Sequence, residues 1–229
     1  MSNYSSIFHA DIKLADMLNI NPQLILMLPR FNIGLGFGEK RVEEVCQQNN
    51  VPVNLFLLLC NVYTFDSYIP SQEEINQIDG SILVKYLKES HTYYLDKRLS
   101  HIGKHIEKIA LKCGNIGNIL NSFYSEYVEE VKNHFKFEEE KLFPTLLNKT
   151  SSIDFSEDFE ESHSSIEDKL TDLTNIIIKY LPSDILPNER IGVWFDISQV
   201  SNDLKKHDIV EEKILIPFIQ QLNSNKNGN

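Results

Sequence analysis

From about residue 81 onward, apolar residues recur three and four positions apart in four long runs, about 81–112, 116–148, 156–181 and 189–222. That period belongs to amphipathic helices with one buried stripe. Period-two alternation of β-branched residues is weak, so no sheet is expected. Residues 10 to about 65 carry shorter helical pieces, "IKLADMLNI", "PQLILMLPRF", "EKRVEEVCQQN" and "VNLFLLLCNVY", punctuated by "NIGLGFGEK" and "NNVP". The stretch "TFDSYIPSQEEINQIDG" is polar and turn-rich, as a linker is. The pattern predicts an all-α chain. A small helical N-terminal domain spans 1–66, a linker 67–80, an up-down four-helix bundle 81–222 and a disordered tail 223–229.

The bundle region repeats itself. "ESHTYYLDK" (89–97) and "ESHSSIEDK" (161–169) share Glu, Ser, His, Asp and Lys in place. "HFKFEEEKLFP" (134–144) and "HDIVEEKILIP" (207–217) share His, Glu, Glu, Leu and Pro. The offsets, 72 and 73 residues, belong to one internal duplication. Its unit is an αα-hairpin with a histidine on the first helix and His-x-x-x-Glu on the second.

Helical phase says where these residues point. At 100° per residue with His134 at zero, Glu138 falls at about 40°, among Tyr127 at about 20°, Val131 at about 60° and Leu142 at about 80°. Glu139 falls at about 140°, at the edge of the stripe, and Glu140 at about 240°, facing away. The second copy behaves alike: Glu211 falls at about 40° from His207, with Val200, Leu204, Leu215 and Phe218 around it. On the first bundle helix, His91 shares a stripe with Val84, Leu95 and Ile102. The fold therefore buries the imidazoles of His91, His134, His163 and His207 with the carboxylates of Glu138 and Glu211.

A single His-x-x-x-Glu is ordinarily a helix-surface pair. Two of them on apolar stripes, each accompanied by a further buried histidine, need compensation, because an unpartnered buried carboxylate costs several kcal/mol. A pair of metal ions supplies it, with histidines capping each ion and the two glutamates bridging. Imidazole and carboxylate without thiolate suit iron or manganese, with zinc as a further option. An octahedral ion so held keeps one position open for O₂, NO or another small oxidant.

These motifs resemble the hemerythrin-like domain and, within it, the di-iron repair-of-iron-centres (RIC) family. The pattern H…H-x-x-x-E-E…L-[FI]-P, present twice, covers roughly residues 80–220. The resemblance implies an oxo- or hydroxo-bridged pair of iron ions. It makes His91, His134, His163 and His207 terminal ligands and Glu138 and Glu211 bridges. It also implies a role in restoring iron–sulfur centres damaged by nitric oxide or oxidants, with iron–sulfur proteins as clients, and it allows a homodimer. An O₂ or NO sensor or carrier without turnover is the alternative. The stretch "FNIGLGFGEKRVEEVCQQNNV" (31–51) is similar to the small domain that precedes the bundle in that family. Where the family carries two adjacent cysteines, this chain has Gly36 and Phe37. A further family histidine late on the first bundle helix falls near Lys112 or Cys113 and is not carried over.

Charge and cysteine usage narrow the setting. The net charge of -11 argues against a nucleic-acid partner, which needs a basic footprint. No apolar run reaches the roughly 20 residues of a membrane span, and "MSNYSSIFHADIKL" lacks a secretory pattern. The three cysteines, Cys46, Cys60 and Cys113, form no CxxC and read as reduced cytoplasmic thiols. His9, His101 and His105 read as structural or surface residues; His105 lies 14 residues past His91, about 21 Å along a helix. Trp194 reads as a packing residue, and so does Tyr127, with a partner of the metal ligands or a redox-active phenol as its alternatives. Glu130, one turn before His134, reads as a solvated edge or as a residue that lines an access path or backs the metal ligands. The "NIGLGFGEK" stretch reads as a tight interhelical turn, since no strand precedes it.

Overall fold

The computed structural model describes residues 7–148, 157–183 and 185–227. Most of these residues are helical and no strand occurs among them, so the chain is all-α, as its apolar period implies. The expected connection after residue 148 falls at 149–156 and lies outside the described residues, as do Gly228 and Asn229 of the expected tail. The rest of that tail continues a helix, Ile216–Asn227. No glycine or proline precedes Gly228 there to stop it.

Packing divides the chain into two units, one of Met1–Glu89, Leu146–Ser151 and Lys206–Asn229, the other of Ser90–Thr145 and Ser152–Lys205. The division runs through the long helices, whereas the sequence places the boundary in the linker. The first unit holds α1 (Leu14–Ile20), α2 (Val42–Gln48), α3 (Val53–Thr64) and α4 (Gln72–Asn76). Helix α3 is apolar nearly all round and is accordingly buried from Leu55 to Tyr63 except at Leu57. Arg30 is also buried; its guanidinium donates to the Tyr63 and Tyr86 hydroxyls and lies over the Tyr86 ring. Such groups stabilise a buried cation by hydrogen bonds and by the ring quadrupole. Ser71 and Glu74 form a reciprocal N-cap on α4. Lys206 pairs with Asp66 at 2.8 Å, and Lys213 donates to the Asp66 and Tyr68 carbonyls, which fastens the start of the linker to residues 206–213.

Four long helical stretches follow. Helix α5 (Gly80–Thr92) runs into α6 (Ser100–Ala110), and α7 (Gly114–Phe137) into α8 (Phe143–Asn148). Helix α9 (Glu157–Asn175) precedes α10 (Pro187–Val210), which runs into α11 (Ile216–Asn227). In the second unit they share one core, including Ile102 and Ile106 of α6, Tyr127 and Val131 of α7, Leu170 and Leu173 of α9, and Ile197 and Val200 of α10. This is a four-helix bundle core, one apolar stripe from each helix.

Each stretch contains a widened, π-helical turn: Tyr93–Leu99, Glu138–Leu142, Ile176–Tyr180 and Glu211–Leu215. Two of these begin at the glutamates of the duplicated motif. The Phe143 amide donates to the Glu138 carbonyl, five residues back, and Ile216 does the same to Glu211. A proline follows immediately in both copies, Pro144 and Pro217. A proline ring clashes with the carbonyl four residues earlier in a regular helix. The widened turn accommodates that clash, so Pro144 sits inside a helix that continues to Asn148 rather than marking its end.

The α6–α7 turn depends on glycine. Gly114 has φ +53°, and a Cβ on Gly117 would lie 2.0 Å from the Ala110 carbonyl oxygen. Backbone cannot yield as a flexible side chain does. Gly117→Ala is therefore expected to destabilise the protein by about 1–3 kcal/mol. Gly192→Ala, at an α10 position with open space around the added carbon, is expected to stabilise it by about 0.5–1 kcal/mol. Denaturant unfolding of the two variants, with opposite shifts in midpoint, checks both.

Candidate metal centre

In the second unit, three imidazoles surround one carboxylate. His91 stands near the end of α5, His134 in the last turn of α7, Glu138 at the start of the widened turn, and His163 on α9. His91 Nε2 lies 3.0 Å from Glu138 Oε2, and His134 Nε2 lies 2.7 Å from Glu138 Oε1. His163 Nε2 lies 3.9 Å from the same Oε1. Glu138 is fully buried and the three histidines are buried with it. Burial pushes the Glu138 carboxyl up, while His134, His163 and His91 pull it down. The imidazoles prevail, and the group lies well below the ordinary carboxylate range.

The outer ring nitrogens fix the orientation. His91 Nδ1 lies 2.9 Å from Glu139 Oε1, and His134 Nδ1 lies 2.9 Å from Ser162 Oγ. An ionised carboxylate only accepts hydrogen bonds, so His91 Nδ1 must carry the proton it donates to Glu139. A neutral His91 then turns a bare Nε2 lone pair toward a Glu138 oxygen. Lone pair against lone pair is repulsive unless a proton or a cation lies between them. Three imidazoles on one buried carboxylate would need several protons, or metal cations between the ring nitrogens and the carboxylate oxygens. This donor set fits a metal ion, and Glu139 and Ser162 stand where outer partners of metal-bound histidines stand. The His91 ring is clasped between Phe135, stacked at 4.0 Å and 5°, and Phe143 at 5.6 Å. His134 and His163 meet edge to face at 4.6 Å.

The first unit carries the duplicate of the His134–Glu138 pair. His207 Nε2 lies 3.2 Å from Glu211 Oε1, and both side chains are fully buried. Val210, Ile214 and Leu215 are buried beside them in sequence.

Residues 83–219, more than half of the chain, match the family model of the hemerythrin HHE cation-binding domain. The chain belongs to that family. No curated protein matches it. Membership in the hemerythrin family and the buried histidine–glutamate groups together make this a metal-binding protein. No helix among the described residues is long and apolar enough to cross a membrane.

All six residues singled out by the duplication are buried. The structure brings His91, His134 and His163 to Glu138, and His207 to Glu211. Other positions fall in several places. His9 is exposed, and Tyr127 is a fully buried core residue. Trp194 packs edge-on against Phe195. Glu130 bonds to Lys169 and Ser165 of α9 rather than facing solvent freely. Sequence reasoning missed Glu139 and Ser162 as partners of ring nitrogens, and Phe135 and Phe143 as walls. A signal was present: both copies preserve Glu-Glu after the histidine and Ser before the other histidine.

If Glu139 positions His91, removing its charge should weaken metal without touching a donor. Glu139→Ala is expected to lower metal affinity on the order of 10- to 100-fold, as the loss of an outer-shell partner does. Competition with a chromophoric chelator, alongside the milder Glu139→Gln, measures the difference.

Proposed function

We propose that His91, His134, Glu138, His163, His207 and Glu211 together hold two iron ions, with Glu138 and Glu211 bridging, and that the protein repairs iron–sulfur centres damaged by nitric oxide or oxidants, or supplies iron to them. The observation that carries this reading is the convergence of three imidazole Nε2 atoms on the buried Glu138 at 2.7–3.9 Å. The internal duplication supports adding His207 and Glu211, which repeat His134 and Glu138 residue for residue. Resemblance of the bundle and of residues 31–51 to the RIC family supports the repair role and a small N-terminal domain over 1–66.

When bound, two irons supply a redox-active pair able to take O₂, NO or another small oxidant. The chain's own residues hold and shield it. Glu139 and Ser162 orient His91 and His134, and Phe135 and Phe143 keep water from the His91 ring. Buried thiols fit a reducing cytoplasm: Cys46, Cys60 and Cys113 are all buried.

A sensing or carrying role is the second reading, favoured by one observation. Gly36 and Phe37 stand at the positions of the family's cysteine pair, and burial pushes the Cys46 thiol up to about 12 and the Cys60 thiol well above its ordinary value. Neither thiol is poised as a nucleophile.

Protein prepared without air is expected to hold about two irons per chain, the stoichiometry of a dinuclear bundle site. Glu138→Ala or Glu211→Ala should lose most of it by elemental analysis. Iron transfer to an apo iron–sulfur protein after NO treatment supports repair, and reversible NO spectra without transfer support sensing. Recovery of zinc alone under anaerobic expression sinks both.

A further inference from the structure

A second group of donors lies outside the glutamate-centred cluster. His101 and His105 stand one turn apart on α6, and Asp196 stands on α10, all within the second unit. His101 Nε2 lies 3.6 Å from Asp196 Oδ2, and His105 Nδ1 lies 3.3 Å from the same oxygen. The two rings are 4.3 Å apart at their centroids. One donor atom from each residue fits within 4.8 Å of the other two.

These separations are informative. Both exceed the roughly 2.7–3.2 Å of a good N–H···O hydrogen bond. The shorter one matches the edge, about 3.3–3.4 Å, of a tetrahedron whose metal–ligand bonds are about 2.0–2.1 Å long, and the longer one lies slightly above it. The two nitrogens therefore stand from the carboxylate oxygen nearly as ligands of one ion stand from each other, and further away than hydrogen-bonded partners.

The carboxylate is also oriented. Arg98 Nη2 lies 3.6 Å from Asp196 Oδ1 and donates to Gln199 Oε1 at 2.5 Å. The guanidinium faces one oxygen of Asp196, and the other faces the two imidazoles. With the side chains of His101 and His105 49% and 43% exposed, a fourth position stays open to water. His105 is 14 residues beyond His91, roughly 21 Å along the helix, so the two clusters share no ligand.

We propose that His101, His105 and Asp196 form a separate, solvent-accessible site for a borderline divalent cation of the zinc class, bound through two imidazoles and one carboxylate oxygen. Two imidazoles with one carboxylate and an open position suit Zn²⁺ in tetrahedral geometry. An ion there clasps α6 to α10 within the second unit. The proposal stands on these three residues alone and does not depend on which metal the buried cluster holds.

Zn²⁺ alone is the probe. Iron-loaded protein, titrated calorimetrically without air, is expected to take up one additional Zn²⁺ per chain. His101→Gln/His105→Gln should lose that equivalent, and Asp196→Asn should bind it on the order of tenfold more weakly or worse. All three positions are partly solvent-exposed, so the variants keep the core, and circular dichroism checks that they fold. Glu138→Ala should retain the additional equivalent, which separates this site from the buried one. An uptake of Zn²⁺ in the His101/His105 variant equal to wild type in stoichiometry and affinity overturns the proposal, whatever the iron content.

Discussion

Burying a carboxylate is the constraint on which the bundle is organised. Glu138 has no exposed surface, and a charge so placed must be compensated where it sits or be given up by protonation. Three imidazoles reach it, each with the nitrogen able to bind a metal. The surroundings follow from keeping them there. Glu139 and Ser162 hold two of the rings from outside, and two phenylalanines confine the His91 ring. The helix widens at the glutamate itself, where its carbonyl bonds five residues on rather than four. Widened turns of this kind cost helix regularity and are frequent at functional sites for that reason. Their recurrence at Glu211 ties the backbone irregularity to the duplicated motif rather than to local accident.

Helical phase and internal duplication made the burial of the six histidines and glutamates legible, because both can be read without knowing which helices are neighbours. Glu138 and Glu211 follow from counting 100° per residue, and the repeat separates them from the surface pairs they would otherwise resemble. The same arithmetic stops at the helix boundary. Glu139, placed at the stripe's edge, meets the His91 ring of a different helix. Ser162 reaches His134 from α9. Such contacts depend on which helices are neighbours and at what height, which no single-helix count contains. Beyond Glu138 the count itself drifts, since a widened turn advances less than 100° per residue. Leu142 and Phe143 are both fully buried.

His101 and His105 show the same limit from the other side. Read one helix at a time, His101 is off-stripe and His105 is too far along the helix from His91 to join its site, so a structural or surface role is the sound expectation. Their interest comes from Asp196, 91 residues later than His105, which no motif or repeat connects to them. The tail is a separate case: it reads as disordered as chain termini commonly are, and helix α11 runs on to Asn227.

The N-terminal residues bear on function through what they lack. Gly36 adopts φ +93°, a backbone region that L side chains rarely enter. A cysteine at that position would be strained, so the turn in this chain is built for glycine rather than for a thiol pair. With Cys46 and Cys60 buried and their thiols pushed up, neither stands as a reactive thiolate does. The groups suited to metal chemistry lie instead among the buried histidines and carboxylates of the bundle, which is where the family relationship also points.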